Sequence, residues 1–208
     1  MSAHLSVASP ADVAEAAQVV AEAFRDDPVL HGLVPGERDR LRRLQLLMRA
    51  TLATGPLHTG AIDLARLEPT GPIVGVAAWE APRGTGGPVP WGARVRALPL
   101  MLRAVGLRHL SEVRRTSATF AAARPDEPHW YLDDIVVADA AQGRGVGSAL
   151  LRHGLARVDG SGSPAYLEAT SDDSRRLYER FGFVAGVRLE VPGSPYAMVR
   201  PGRDAPTD

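Results

Sequence analysis

Apolar residues recur along this chain with two periods, about 3.6 and 2, and the switches between them mark out the expected elements. "HLSVASPADVAEAAQVVAEAF" predicts a short strand and then a helix, with Ser9 at the N-cap, Pro10 at the first helical position and Val13, Ala16, Ala17, Val20 and Phe24 on one face. A second helix is expected from about Glu37 to Thr54, carrying Leu41, Leu44, Leu47 or Met48, and Leu52 on its apolar side and ending at Gly55-Pro56. "GAIDLARLEP" and "PIVGVAAWEAP" read as two strands of a hairpin turned by Thr70-Gly71-Pro72.

From Arg83 the composition shifts to Gly and Pro, and Trp91 to about Ala122 then reads as an Arg-rich helical stretch closed by "RPDEP". This middle, about residues 83–125, is expected to be a helical insertion within one domain spanning residues 1–201. Its leucines are expected to cover a neighbouring binding site, with its arginines solvated. The C-terminal part is the most regular: strand "HWYLDDIVV", helix Gln142 to Val158, strand "AYLEAT", helix "SDDSRRLYERF" stopped by Gly182, then strands "FVAGVRLEV" and "YAMVR". Strand, helix, strand in that order implies a right-handed βαβ crossover, and residues 202–208 read as a flexible tail. The fold class expected is α/β (α+β), with a mixed central sheet of about six to seven strands flanked by helices.

Charge is balanced, with 24 basic against 24 acidic residues among 208, so no nucleic-acid partner is indicated. All the basic residues are arginine, and the chain has no lysine, asparagine or cysteine. That excludes Schiff-base lysines, phosphate-loop lysines, disulfides and thiolate chemistry. The six histidines show no metal-binding spacing, so no metal site is expected. Neither an export signal nor a membrane span is read, which makes the cytoplasm the expected location and a membrane partner unexpected.

Candidate chemistry concentrates in "AAQGRGVGSALL", Ala140 to Leu151, where a strand hands over to a helix. Glycines beside a helix start let backbone N–H groups converge on an anion, and the helix dipole adds partial positive charge. A phosphate-loop pattern would need lysine. A dinucleotide fingerprint would need G-x-G-x-x-G, whereas Gly143, Gly145 and Gly147 are spaced G-x-G-x-G, with Ser148 at the position of the third glycine. The remaining pattern, Q/R-x-x-G-x-G/A, is met by Gln142, Gly145 and Gly147.

On that motif, and on the run from Arg124 through "LYERFGF" to Pro201, the chain resembles the GNAT acetyltransferase superfamily, in particular its puromycin N-acetyltransferase-like members. The resemblance implies acetyl-CoA as acyl-donor cosubstrate and N-acetylation of a small-molecule primary amine by direct attack in a ternary complex, in a monomer or homodimer. It implies that the backbone of Ile135, Val136 and Val137 pairs with the pantetheine arm. Gln142, Gly143, Arg144, Gly145, Val146, Gly147 and Ser148 would hold the pyrophosphate. Tyr178 matches the tyrosine that protonates the departing thiolate, and Ser174 stands where relatives commonly carry an asparagine on the cofactor arm.

The residue that takes the amine proton is open between carboxylates. Asp133 and Asp134 are adjacent on the central strand and so are expected to face opposite sides, and Glu168 ends the next strand beside the crevice. Asp26, Asp27 and Glu80 are weaker candidates for the acceptor side. The alternative from another class is a catalytically silent acyl-CoA-binding sensor or interaction module with the same fold, suggested by the serine at position 174.

Overall fold

The structure is a computed structural model and describes residues 3–191 and 193–202. The expected tail beyond Gly202 lies outside the described residues. Among the described residues seven strands form one sheet: β1 (His4–Val7), β2 (Gly60–Arg66), β3 (Ile73–Glu80), β4 (Trp130–Val137), β5 (Ala165–Ala169), β6 (Val184–Arg188) and β7 (Tyr196–Arg200). Their order is β1-β2-β3-β4-β5-β7-β6, and among the described residues only the β4–β5 pair is parallel. Among the described residues there are eight α-helices, α1 (Val13–Ala23), α2 (Pro28–Leu33), α3 (Arg40–Thr54), α4 (Pro56–Thr59), α5 (Trp91–Val105), α6 (Leu110–Ala123), α7 (Val146–Ser161) and α8 (Asp172–Glu179).

Each face of the sheet buries its own core. On one face α1, α3 and α5 pack Val20, Leu44, Leu52 and Ala104 against Ile62, Leu64, Val76 and Val136. On the other, α7 and α8 pack Leu150, Leu151, Leu155 and Tyr178 against Trp79, Leu132, Leu167 and Met198. Fully burying such a side chain contributes about 1.5–3 kcal/mol, so both faces are anchored. The second face has two tight points. A Cβ on Gly154 of α7 would fall 2.3 Å from Trp79 Nε1, so the helix lies directly on the indole. Asp63 of β2, wholly buried, is held by Arg157 of α7 through contacts of 2.6 and 3.3 Å. None of the described helices is long and apolar enough to cross a membrane.

Several helix boundaries differ from expectation for local reasons. The Ser9 N–H and hydroxyl donate to Asp12 Oδ2 at 2.9 and 2.7 Å, so Pro10 and Ala11 form a turn and α1 begins at Val13 with Asp12 as its cap. "DDPVLHGL" forms its own helix, α2, because Asp27 Oδ1 accepts the N–H groups of Val29 and Leu30 ahead of Pro28's turn. Entry into α3 waits for Asp39, which is left-handed at φ 51°, so that helix starts at Arg40 and not Glu37. The insertion is two helices, because Gly106 at φ 76° breaks the chain between α5 and α6.

Candidate active site

The parallel strands β4 and β5 stay together only at their starts. Their register runs Trp130 to Ala165, Tyr131 to Tyr166 and Leu132 to Leu167 and then stops, although β4 continues to Val137. Beyond Leu132 the strands part, leaving Ile135, Val136 and Val137 paired on the β3 side and without a strand neighbour on the β5 side. An unpaired strand edge of this kind accepts an extended ligand as an added strand.

A bulge accompanies the split. Ala78 of β3 pairs with Asp134 and Trp79 with Leu132, so Asp133 is an extra residue on β4. Side-chain alternation slips there by one. Asp133 and Asp134 therefore do not take opposite sides as strict alternation predicts; both line the same cavity.

The glycine stretch joins β4 to α7. Gly143 and Gly145 hold φ of 72° and 77°, conformations that cost a non-glycine residue about 1–2 kcal/mol. For that reason α7 begins at Val146 and not at Gln142. The first backbone bond back to the cap runs from Ala149 N–H to Gly145 O at 3.0 Å, so the N–H groups of Val146, Gly147 and Ser148 precede the helix's own acceptors. Gln142 ties the loop to the strand end, donating to Val137 O at 3.3 Å and Asp139 Oδ1 at 2.9 Å. Loop and split strand together fit a phosphate-bearing ligand with an extended arm, with the phosphates at the helix start.

Tyr178 reaches the split from α8. Ser171 caps that helix, and Ser174 completes a reciprocal box, its hydroxyl donating to Ser171 O at 2.8 Å and accepting from Ser171 N–H at 3.1 Å. Ser174 and Tyr178 lie one turn apart on one side of α8, and both line the cavity. The Tyr178 hydroxyl is pushed above its usual pKa by burial and, secondly, by the charge of Asp134.

The cavity has a volume of about 400 Å³ and gathers Asp133, Asp134, Glu168, Ser174, Tyr178 and Ile135. Val136, Val137 and Gln142 to Ser148 lie off it, along the strand and at the loop. Glu168 is raised to about 7, chiefly by burial and further by Asp133; Tyr131, Arg124 and Tyr166 oppose that rise. Its Oε1 is buried without a hydrogen-bond partner among the described residues. Asp133 rises to about 6, first through burial and then through the charge of Glu80, although water reaches it from the cavity. Asp134 stands well above the ordinary carboxylate range through burial and its two acidic neighbours Asp133 and Asp27.

Three functional neighbours escaped sequence reasoning. The Arg124 guanidinium lies 3.5 Å from the Tyr131 ring centroid and 3.5 Å from Glu80 Oε2, and its field reaches Glu168 and Asp133. As the residue after α6 it sits in no periodic pattern, and "RPDEP" reads only as a segment end. Tyr131 and Tyr166 did carry a signal. Each stands two residues before a candidate carboxylate, Asp133 or Glu168, so alternation alone suggests a shared side, and their register makes them partners across the strands. Of the insertion, Met101 and residues of α6 line the cavity, whereas Leu98 is 59% exposed, so α5 does not cover the site with its leucines.

A sheet split beside a glycine-bounded helix start, with a tyrosine and carboxylates at the fork, has room for an extended ligand whose anionic end meets the helix start. Comparison with known proteins agrees. The sequence profile of the Acetyltransferase (GNAT) family matches residues 104–183. A solved structure described as histone acetyltransferase HPA2 and related acetyltransferase from Corynebacterium glutamicum is 32% identical, covers 100% of both chains and superposes with a TM-score of 0.75. The chain belongs to the GNAT acetyltransferase family, whose acyl donor is acetyl-CoA. More distant structures share the fold. A GNAT family acetyltransferase from Brucella melitensis, in complex with acetyl-CoA, is 20% identical over 99% of this chain and 92% of its own, at TM-score 0.51. Arylalkylamine N-acetyltransferase 2 from Aedes aegypti is 14% identical over 96% and 99%, at 0.61.

Proposed function

We propose that this protein transfers the acetyl group of acetyl-CoA to the primary amine of a small molecule by direct attack in a ternary complex. The observation that carries this reading is the meeting, at the fork of β4 and β5, of carboxylates with raised pKa values and the buried hydroxyl of Tyr178. The donor's acyl carbonyl supplies the electrophile. Backbone groups of Ile135 to Val137 align its arm, Gln142 to Ser148 hold its pyrophosphate, and Ser174 lies beside the arm.

Within this arrangement Glu168, or Asp133 across the fork, takes the surplus proton of the attacking nitrogen as the C–N bond forms and the C–S bond breaks. A carboxylate titrating near neutrality is matched to that task. Tyr178 donates its hydroxyl hydrogen to the departing sulfur. Its raised pKa makes it a hydrogen-bond donor that stays protonated at neutral pH, and any tyrosinate formed regains a proton through the cavity carboxylates. No enzyme-bound acyl group is needed, which suits a chain without cysteine or lysine.

The test is thiol release from acetyl-CoA across a panel of amines that includes puromycin, which the motif order of the C-terminal half suggests. A cysteine-free protein adds no background to a thiol reagent. Release with one amine supports the reading, and Tyr178→Phe should then lower kcat by about 10²–10⁴-fold while acetyl-CoA affinity changes little. Silence across the panel, with acetyl-CoA still raising the Tm, would favour a binding module without turnover.

A further inference from the structure

The acceptor side of the cavity has two chemically opposite parts. Its floor carries Asp133, Asp134 and Glu168, and Asp27 adds negative charge felt at Asp134. Arg124 is the one cationic side chain lining the cavity among the described residues, so the floor carries an excess of acidic groups. The walls come from the helices: Phe24 just past α1, Leu30 and Leu33 of α2, Met48 of α3, Met101 of α5 and Phe120 of α6. Polar capacity there is scarce. The Thr51 hydroxyl turns back onto its own helix, 3.2 Å from Leu47 O and 3.1 Å from Met48 O, which leaves Ser117 as the hydroxyl the α6 wall offers.

We propose that the acceptor is a monoamine carried on an apolar body, an alkyl or arylalkyl chain, with its nitrogen on the acidic floor and its body against the helical wall. This rests on the transfer reading above and narrows it. A second ammonium group or a polyhydroxylated ring placed against that wall would lose its hydration and find few partners. An apolar chain instead gains with every carbon buried, about fourfold in binding per methylene.

The test compares n-alkylamines from propyl to heptyl with α,ω-diamines of the same lengths, by thiol release and by calorimetric binding to the protein saturated with CoA. Across the monoamines kcat/KM should rise about fourfold per methylene until the cavity is filled. Each diamine should fall below its monoamine by about a hundredfold or more. A flat series, or diamines equal to monoamines, overturns the proposal even if acetyl transfer itself is established. If no amine releases thiol but the monoamines bind with the same dependence on length, the transfer reading fails and the ligand class stands; if neither series binds, the ligand class is overturned. Leu33→Glu and Val113→Glu, separate changes at half-buried wall positions on α2 and α6, should each raise diamine turnover or binding tenfold and lower that of hexylamine. Unchanged selectivity in a folded variant also overturns the proposal.

Discussion

The carboxylate sealed beneath α7 and the carboxylates that open onto the cavity at the fork are treated in opposite ways. Asp63, toward α7, has no exposure at all and is gripped at two points by Arg157, with His153 Nε2 a further 3.6 Å away. At the fork, Asp133 and Glu168 share the Arg124 guanidinium with Glu80, Asp134 feels only the acidic Asp133 and Asp27, and Glu168 keeps a buried oxygen without a hydrogen-bond partner among the described residues. A satisfied buried charge serves the fold, whereas an incompletely satisfied set facing a cavity holds proton-transfer capacity at a cost in stability.

The largest effect that would break this contrast is at Glu168. Glu168→Gln should lower kcat/KM by about 10²–10⁴-fold, yet leave the protein at least as stable at neutral pH. The sign follows from its pKa, which is raised from 4.5 to about 7 on folding. Between those values the folded state holds a proton that the unfolded state has lost, so stability falls as pH rises through this window. The glutamine variant should therefore gain Tm over wild type above pH 7, with the gain vanishing below about pH 4. If Asp133→Asn takes the large loss in rate instead, the proton acceptor is on β4.

Arg157→Ala should do the reverse. It strands Asp63 and should cost about 3–5 kcal/mol in chemical denaturation, with acetyl-CoA still binding to the fraction that remains folded. A cost below 1 kcal/mol would mean that Asp63 is not held as the geometry indicates. Gly154→Ala comes next, because its methyl group must displace the Trp79 indole that lies 2.3 Å from the added Cβ; about 1–3 kcal/mol is expected from overpacking. The smallest effect is at Arg124. Arg124→Met removes the positive charge that lowers the pKa of both Glu168 and Asp133, so the acid limb of the kcat/KM profile should move to higher pH. An acid limb that does not move would place the arginine outside the site's electrostatics.

Much of this was legible along the chain because it depends on local periodicity and local chemistry. The hairpin of β2 and β3, the crossover through α7 and the cap of α8 each follow from residues within one turn or strand of one another. Helix starts depart from the periodicity where a nearby side chain or a left-handed residue intervenes, as with Asp12 bonded to Ser9, Asp39 before Arg40 and Gly145 before Val146. The pairing of Tyr131 with Tyr166 was half legible, since alternation shows what shares a side of each strand but not which strands meet.

The sequence by itself determined the order of elements, the alternation of the strands and the glycines that permit the turn before α7, because backbone preferences and hydrophobic period act over a few residues. Only the tertiary structure decided that β4 bulges at Asp133, that β4 and β5 part beyond Leu132, and that Arg124 arrives from the end of α6. Those features depend on which strand lies beside which and on how burial raises the free energy of a charge. A carboxylate's proton affinity is set by neighbours remote in sequence, so the chemistry of this site came into view only with the fold.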